Sequence, residues 1–294
     1  MNIGVNIDGI TEIDKLVKNS EKAEEAGIDT LWFGEGPNHR HVFPLITTVA
    51  YKTKRVKIGT SIISVNLHRA FHVFQSFKLL GEEFGNRFII GLGRGGEKHL
   101  RLVGKEKSKT LPLFEEYLSL YKNRFALKIP IYLGATGINT LRGIGKRFDG
   151  IIINSLSPKF IRWAKEKGDI KSRLLAIGPA FYNPGPEDEI DILMNCSLIA
   201  SELPPSLSEE LKISVEVQKV KKYFNSKNIS ALREMKDFLI GNFGLVGSKH
   251  EFKSRIKELE KIGISEIIFG YPISKNEVKF SQFLQQIPVL RGRS

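Results

Sequence analysis

An α/β barrel of eight parallel strands is what this chain of 294 residues predicts, on three observations. Short runs rich in β-branched residues alternate with amphipathic stretches of helical period along the chain. Val56 to Gly96 reads as one complete unit of strand, helix and strand in about forty residues, a unit that joins parallel strands and leaves their carboxyl ends free for a ligand. Eight such strand and helix pairs in under 300 residues favour a closed barrel over an open sheet.

The strands are expected at 2–8, 29–33, 56–65, 88–93, 129–133, 149–154, 173–181 and 265–270. In the first, Ile3, Val5 and Ile7 alternate with Gly4, Asn6 and Asp8, and in a barrel the second set faces inward. Residues 12–26 repeat apolar side chains at Ile13, Leu16, Val17, Ala23 and Ala26 and stop at Gly27, the pattern of a helix with a glycine after its end. Thr30–Phe33 leads into the polar loop GEGPNHRH and a helix from Phe43 to Lys52. In VKIGTSIISV the β-branched Val56, Ile58, Ile62, Ile63 and Val65 are interrupted by small residues at Gly59–Ser61, which leave room for something bulky. Phe71, Phe74, Phe77 and Leu80 then line one face of a helix that stops at Gly85-Asn86, with RFIIGLG running on into Arg94-Gly95-Gly96.

A polar segment, Lys98–Thr110, precedes a helix near Leu113–Tyr121. The strand IPIYLG is followed by ATGINTLRGIGKR, a loop turning straight into a helix whose first backbone N–H groups, at Thr136, Gly137, Ile138 and Asn139, offer a phosphate seat. DGIIINS, a helix at Pro158–Lys167, the strand Arg173–Phe181 and a helix from Glu187 to Ala200 continue the alternation. Residues 202–243 break it, being helical in pattern without a strand, and read as an insertion after strand seven. Ser248–Ile262, SEIIFG and a last helix around Glu277–Gln286 complete a single TIM barrel domain spanning 1–294.

Hydrophobic residues make up 41% of the chain, enough for a large core. No apolar run is long enough to cross a membrane, and the amino terminus lacks the basic and apolar regions of a signal peptide, so a cytoplasmic protein without membrane partners is expected. The single cysteine, Cys196, has no partner for a disulfide or a metal. A net charge of +13 favours anionic partners, yet the 45 Lys and Arg residues are scattered over helix faces without the pattern of a nucleic-acid surface. An anionic small molecule is the better partner, and nucleic acid is not expected. A homo-oligomer, dimer or tetramer, is.

Asp8, Glu35, Ser61, Ser64, Arg94, Thr136, Asn154 and Tyr182 all fall at or just after expected strand ends, the face on which barrels bind ligands. His39 and His41 flank Arg40, and His68 and His72 stand i, i+4, but neither pair has a third ligand nearby, and no metal is expected. Trp32 and the Phe71, Phe74, Phe77 stripe read as core. GLGRGG resembles a dinucleotide fingerprint only superficially, because the acidic residue such sites require is missing.

Four motifs in order, EEAGIDTLWFGEG with TVAYKTKRVKIGTSI, FGNRFIIGLGRGG, IPIYLGATGINTLRGIGKRFDGIIINSLSP and VGSKHEFKSRIKELEKIGISEIIFGYPI, together resemble the bacterial-luciferase-like superfamily of barrels. Within it the chain is similar to the deazaflavin-dependent methylenetetrahydromethanopterin reductases. The resemblance implies hydride transfer between coenzyme F420, an 8-hydroxy-5-deazaflavin with a phosphate and an acidic oligoglutamate tail, and a small-molecule substrate. It implies a non-proline cis peptide at Ser61-Ile62, in a bulge behind the cofactor ring, with Asn6 and Ser64 beside it. It places the phosphate at Thr136, Gly137, Asn139 and Thr140, and the other side of the tail at Arg94 and Gly95. Basic residues after strand four, Lys98, Arg101, Lys105, Lys107 and Lys109, would attract the tail. The family's Asp-His pair after strand two is Glu35-Gly36 here, and the reductases' strand-one glutamate aligns with Asn6. Glu35 is therefore the expected catalytic carboxylate, with Asp8 as a replacement for the lost acid. The alternatives are an FMN-dependent monooxygenase of the same superfamily and a barrel that binds its ligand without catalysis.

Overall fold

A computed structural model describes residues 1–104 and 110–292, except the side chains of Glu97 and Lys98. Its strands are β1 (Asn2–Asn6), β2 (Thr30–Phe33), β3 (Lys57–Thr60), β4 (Ile63–Ser64), β5 (Phe88–Gly93), β6 (Ile131–Gly134), β7 (Gly150–Asn154), β8 (Arg173–Tyr182), β9 (Leu245–Gly247) and β10 (Glu266–Gly270). All pairings are parallel, and β10 lies between β1 and β8, closing an eight-stranded (β/α)8 barrel. The expected class is the observed one.

Two details differ from the expectation. The third strand, read as one run over 56–65, is two pieces, β3 and β4. Gly59 stands opposite Ile89 and Ile63 opposite Leu92, so four steps on one strand match three on the other, a one-residue bulge. The peptide Ser61-Ile62 within it is cis, as the resemblance implied. The second detail is β9, unassigned in the sequence, which extends the carboxyl end of β8 by pairing Leu245 with Ala180. Three residues, one of them glycine, are too short to carry a strand periodicity.

The helices wrap the barrel as their apolar faces require. Ile3, Val5 and Ile7 point outward into the layer shared with Leu16, Val49, Phe74 and Phe77, while Phe71, at the solvent edge of its helix, is 38% exposed. Between β8 and β9, helices at Glu189–Ser201, Ser214–Asn225, Ile229–Glu234 and Lys236–Phe243 form a smaller cluster of their own around Leu193, Val220, Leu232 and Leu239, while the helix Pro205–Glu210 sends Leu207 into the main core. Cys196 is buried in that cluster, and burial pushes its thiol up to about 12. Among the described residues no helix is long and apolar enough to span a membrane.

The two ends of the barrel are built differently. At the amino-terminal end, the Glu24 carboxylate accepts the N–H groups of Lys54, Arg55 and Val56 at 2.6 to 3.1 Å, and the Arg87 guanidinium donates to Thr53 and Val56. These contacts fasten the loops at that end. Inside, Trp32, Ile89, Tyr132, Ile152, Leu175 and Ile268 fill the middle of the barrel. Glycines at 4 and 59 make room for the Trp32 indole, since a Cβ at either position would stand within 3 Å of it. The bulky group accommodated at Gly59 is thus a core tryptophan.

Glu266, only 2% exposed, accepts the Trp32 indole N–H at 2.8 Å, and burial raises its carboxyl to about 7. Its folded-state value lies above the ordinary 4.5, so below that value the group costs nothing, and stability is lost as pH rises towards 7. Glu266→Gln keeps an oxygen for Trp32 and removes the buried charge. It should stabilise the protein by up to about 3 kcal/mol above pH 7 and flatten the pH dependence of the melting temperature between pH 4.5 and 7. Parallel pH profiles for the two proteins would contradict this assignment of the charge.

Candidate active site

Two residues further along each strand from the packed interior layer, the inward positions change character. Ile89 gives way to Gly91 and Gly93, Tyr132 to Gly134, Ile152 to Asn154 and Ile268 to Gly270. Large side chains are replaced by glycine or asparagine, and the barrel opens into a cleft of about 1230 Å³ at the carboxyl ends of the strands. That is larger than the usual volume of a small-molecule site, roughly 300–1,000 Å³.

The bulge forms one part of the cleft floor. Ile62 lies over Gly93 and Gly134, where a Cβ would stand 2.7 and 2.5 Å from its carbons. The Thr60 hydroxyl donates to the Gly91 carbonyl at 3.1 Å and accepts the Gly91 N–H at 2.9 Å, so it takes over the ladder where the bulge interrupts it. Beyond the bulge, the Ser64 hydroxyl and the Asn66 amide both donate to the Arg94 carbonyl, at 2.7 and 2.8 Å. Gly95 has φ 87° and a Cβ there would meet Ser64 Oγ at 2.5 Å, so only glycine suits that turn.

Glu35, just after β2, reaches the same place from the other side. Its Oε2 accepts the Ser64 N–H at 2.8 Å and its Oε1 lies 2.5 Å from His68 Nε2, the two side chains being 10% and 18% exposed. The His68 carbonyl in turn accepts the Tyr117 hydroxyl at 3.1 Å, and burial pushes that hydroxyl's pKa up. His41 packs edge-on against the His68 ring at 5.4 Å. A carboxylate and an imidazole sharing one short hydrogen bond at the rim of a cleft can hold a proton or pass one.

Of the residues singled out in the sequence, Glu35, Ser61, Ile62, Ser64, Arg94, Gly95, Thr136, Gly137 and Thr140 line this one cleft. Asn154 lines it too. Four others stand apart from the lining. Asn6 donates to the Trp32 carbonyl at 3.1 Å and to Ser61 Oγ at 3.3 Å, holding the bulge from below. Asn139 is exposed on the outer side of its short helix. Asp8 is buried, with its carboxylate accepting the Ile10 N–H and the Thr11 hydroxyl, so its oxygens close a turn and do not face the cleft. Tyr182 packs among Phe252 and Phe283 in the core. Among the basic residues expected near a tail, Arg101 lines the cleft. The Lys98 side chain and residues 105, 107 and 109 lie outside the described residues.

The Glu35 and His68 pair was not legible in the sequence, where His68 was set beside His72. The bulge makes the difference, since it turns the chain so that His68 faces Glu35 while His72 is exposed, beside Phe71. Among the described residues no three His, Cys, Asp or Glu side chains gather as a metal site.

Known proteins resemble this chain along almost its whole length. The 5,10-methylenetetrahydromethanopterin reductase of Archaeoglobus fulgidus is 24% identical, over 92% of this chain and 93% of its own. The structure of the coenzyme F420-dependent tetrahydromethanopterin reductase of Methanopyrus kandleri superposes with a TM-score of 0.80 at 18% identity, covering 96% of both chains. An F420-dependent secondary alcohol dehydrogenase superposes with a TM-score of 0.74 at 16% identity, over 99% of each. These structural likenesses establish the shared barrel. Residues 3–169, which include Glu35, the Ser61-Ile62 bulge, the Arg94-Gly95 turn and the loop from Thr136 to Thr140, match the family model described as luciferase-like monooxygenase, and the chain belongs to that family.

Proposed function

We propose that this protein is a deazaflavin-dependent oxidoreductase that moves hydride between coenzyme F420 and a small electrophile, in the manner of a methylenetetrahydromethanopterin reductase. The observation that carries the reading is the cleft itself, a glycine-lined floor bearing Ile62 beneath a rim of cations, in a chain similar to such reductases from end to end. Its apolar floor suits a flat ring and its rim suits an anionic chain, so the residues present fit the cofactor. Ser61 and Ile62 would carry the ring, Thr136, Gly137 and Thr140 the phosphate, and Arg94 and Gly95 the side opposite. Coenzyme F420 supplies the hydride chemistry at its C5.

The protein's share is orientation and proton handling. Asn6 and Thr60 fix the bulge, so the floor is set before any ligand arrives, which lowers the ordering cost of binding. Glu35, hydrogen-bonded to His68, stands at the rim where a proton can be held for the electrophile. Phe114 and Phe160 on the walls restrict water. We place Glu35 as the catalytic carboxylate and His68 as its positioning residue; Asp8 has no part in the chemistry on this reading.

The proposal treats the barrel and residues 202–243 as one functional unit, since helices of that segment supply part of the cleft wall. It also has the protein working in the cytoplasm as a homo-oligomer, without nucleic acid. The first is supported by the lone buried cysteine and the second by exposed Tyr51 and Leu79 on neighbouring helices. Titration with coenzyme F420 and with FMN, followed by turnover on pterin, imine and ketone electrophiles, tests the functional reading. Binding without turnover would mark a ligand-binding barrel.

A further inference from the structure

The cleft has a second cationic wall that the barrel itself does not provide. Lys221, Phe224 and Asn225, at the end of the helix Ser214–Asn225, and Lys227 in the turn that follows all line the cleft. Both lysines are exposed, and among the described residues neither has an ion-pair partner. Arg94, also lining the cleft and exposed, is likewise without one among the described residues. Two other lysines near this segment are committed, Lys236 to Glu189 and Lys167 to Glu210.

Two contacts fix where this wall stands. Glu210, at the end of Pro205–Glu210, accepts the Trp163 indole N–H at 2.6 Å and pairs with Lys167, so the segment is docked on the helix that follows β7. Glu202, at the end of the preceding helix, has its Oε1 3.6 Å from where a Gly96 Cβ would be, in the loop after β5. The segment therefore arches over the β5 to β7 side of the mouth, above Thr136–Thr140, and away from β1 and β2, where Asn6 and Glu35 lie. Cations placed there would meet the outer end of a cofactor whose phosphate was held at Thr136–Thr140, and not its reacting ring.

We propose that Lys221 and Lys227, with Arg94, hold the polycarboxylate tail of the deazaflavin, and that this inserted segment selects tailed deazaflavins over FMN. The inference rests on the functional reading above and adds a subsite to it. Converging unpaired cations along a cleft raise the local potential for a polyanion, and each exposed contact contributes modestly and is screened by salt.

The test is a fluorescence titration with three probes: the deazaflavin nucleoside lacking phosphate and tail, the phosphorylated form without glutamates, and coenzyme F420 carrying several glutamates. Each is bound to the wild type and to a Lys221→Ala/Lys227→Ala double variant, at low and high salt. The double variant should bind the tailed form about tenfold more weakly at low salt and the nucleoside unchanged, with the difference shrinking at high salt. A Lys221→Glu/Lys227→Glu pair should lose more. The two lysines are exposed, so a melt matching the wild type checks that the fold is intact. Unchanged affinity for the tailed form, equal loss for all three probes, or an effect confined to the KM of the electrophile would overturn the tail subsite while leaving the deazaflavin reading in place. Failure of the wild type to bind even the nucleoside would overturn both.

Discussion

Gly91→Ala should yield little or no folded protein. Gly91 sits opposite the bulge, and a Cβ there would be 1.9 Å from the Thr60 carbonyl oxygen and 3.3 Å from the Ile152 side chain. The first neighbour is backbone, held by strand pairing with β2 on one side and by the Thr60 hydroxyl's two bonds to Gly91 on the other, so it cannot rotate away. One methyl group would require β3 and β5 to separate where the barrel changes from packed core to open cleft. Such a clash belongs with the exceptional substitutions that cost more than about 4 kcal/mol, a large share of a domain's total stability. Gly241→Ala supplies the control, since nothing lies within 4 Å of its Cβ position in the helix Lys236–Phe243. It should be neutral or add up to about 1 kcal/mol. Soluble yield and thermal melting measure both. A Gly91→Ala protein that melts within a few degrees of its parent would show that the strands yield more easily than this packing allows.

Glu35→Gln should lower turnover by about a hundredfold or more while changing the dissociation constant of the cofactor less than threefold. The substitution keeps an oxygen for the Ser64 N–H, so the bulge retains that support, but it removes the carboxylate that shares a hydrogen bond with His68. General acid and base groups contribute roughly 10² to 10⁴ in rate, and that is the contribution at stake. His68→Gln probes the same pair from the other side. A positioning role for His68 predicts a shifted pH profile of kcat, whereas a purely structural role would alter stability alone. Equal loss of turnover and affinity in Glu35→Gln, or no loss in either, would make Glu35 a tether for the bulge and remove it from the chemistry. Arg40, in the loop after Glu35, does not engage this carboxylate and donates to the carbonyls of Gly9, Ile10 and Thr11.

The fold was legible because it depends on periodicity. Ile3, Val5 and Ile7 alternate as a strand with one face against helices, Phe74 and Phe77 repeat as a helix with one face against strands, and both end in the same outer layer. The position of the site followed from topology, since strand ends such as Ser61, Arg94 and Thr136 must cluster at one face of a closed parallel barrel. What escaped was set by contacts between residues remote in sequence. Asp8 looks like Glu35 in the sequence, a carboxylate just past a strand, yet its oxygens are used within three residues by Ile10 and Thr11. His68 lies 33 residues from Glu35, and only the one-residue offset between β3 and β4 brings the two together. The helical pattern of 202–243 was legible, but the docking of that segment on Trp163 through Glu210, beside a cleft that Lys221 and Lys227 line, has no local signature. Gly59 was legible as room for something bulky, and the bulky group is Trp32, its direct partner on the neighbouring strand β2.

If the mouth of this barrel holds a tailed deazaflavin, ligand binding to the apoprotein reveals it. Apoprotein should be titrated with coenzyme F420 and with FMN, each at about 20 mM and about 300 mM salt, a range over which screening of exposed charges tightens severalfold. Both ligands carry a phosphate that the proposed seat at Thr136–Thr140 would take, so the seat alone does not separate them; the ring and the acidic tail do. Coenzyme F420 should bind at least tenfold more tightly than FMN at low salt, and its advantage should narrow at high salt. Tighter binding of FMN, together with a deazaflavin affinity indifferent to salt, would contradict it.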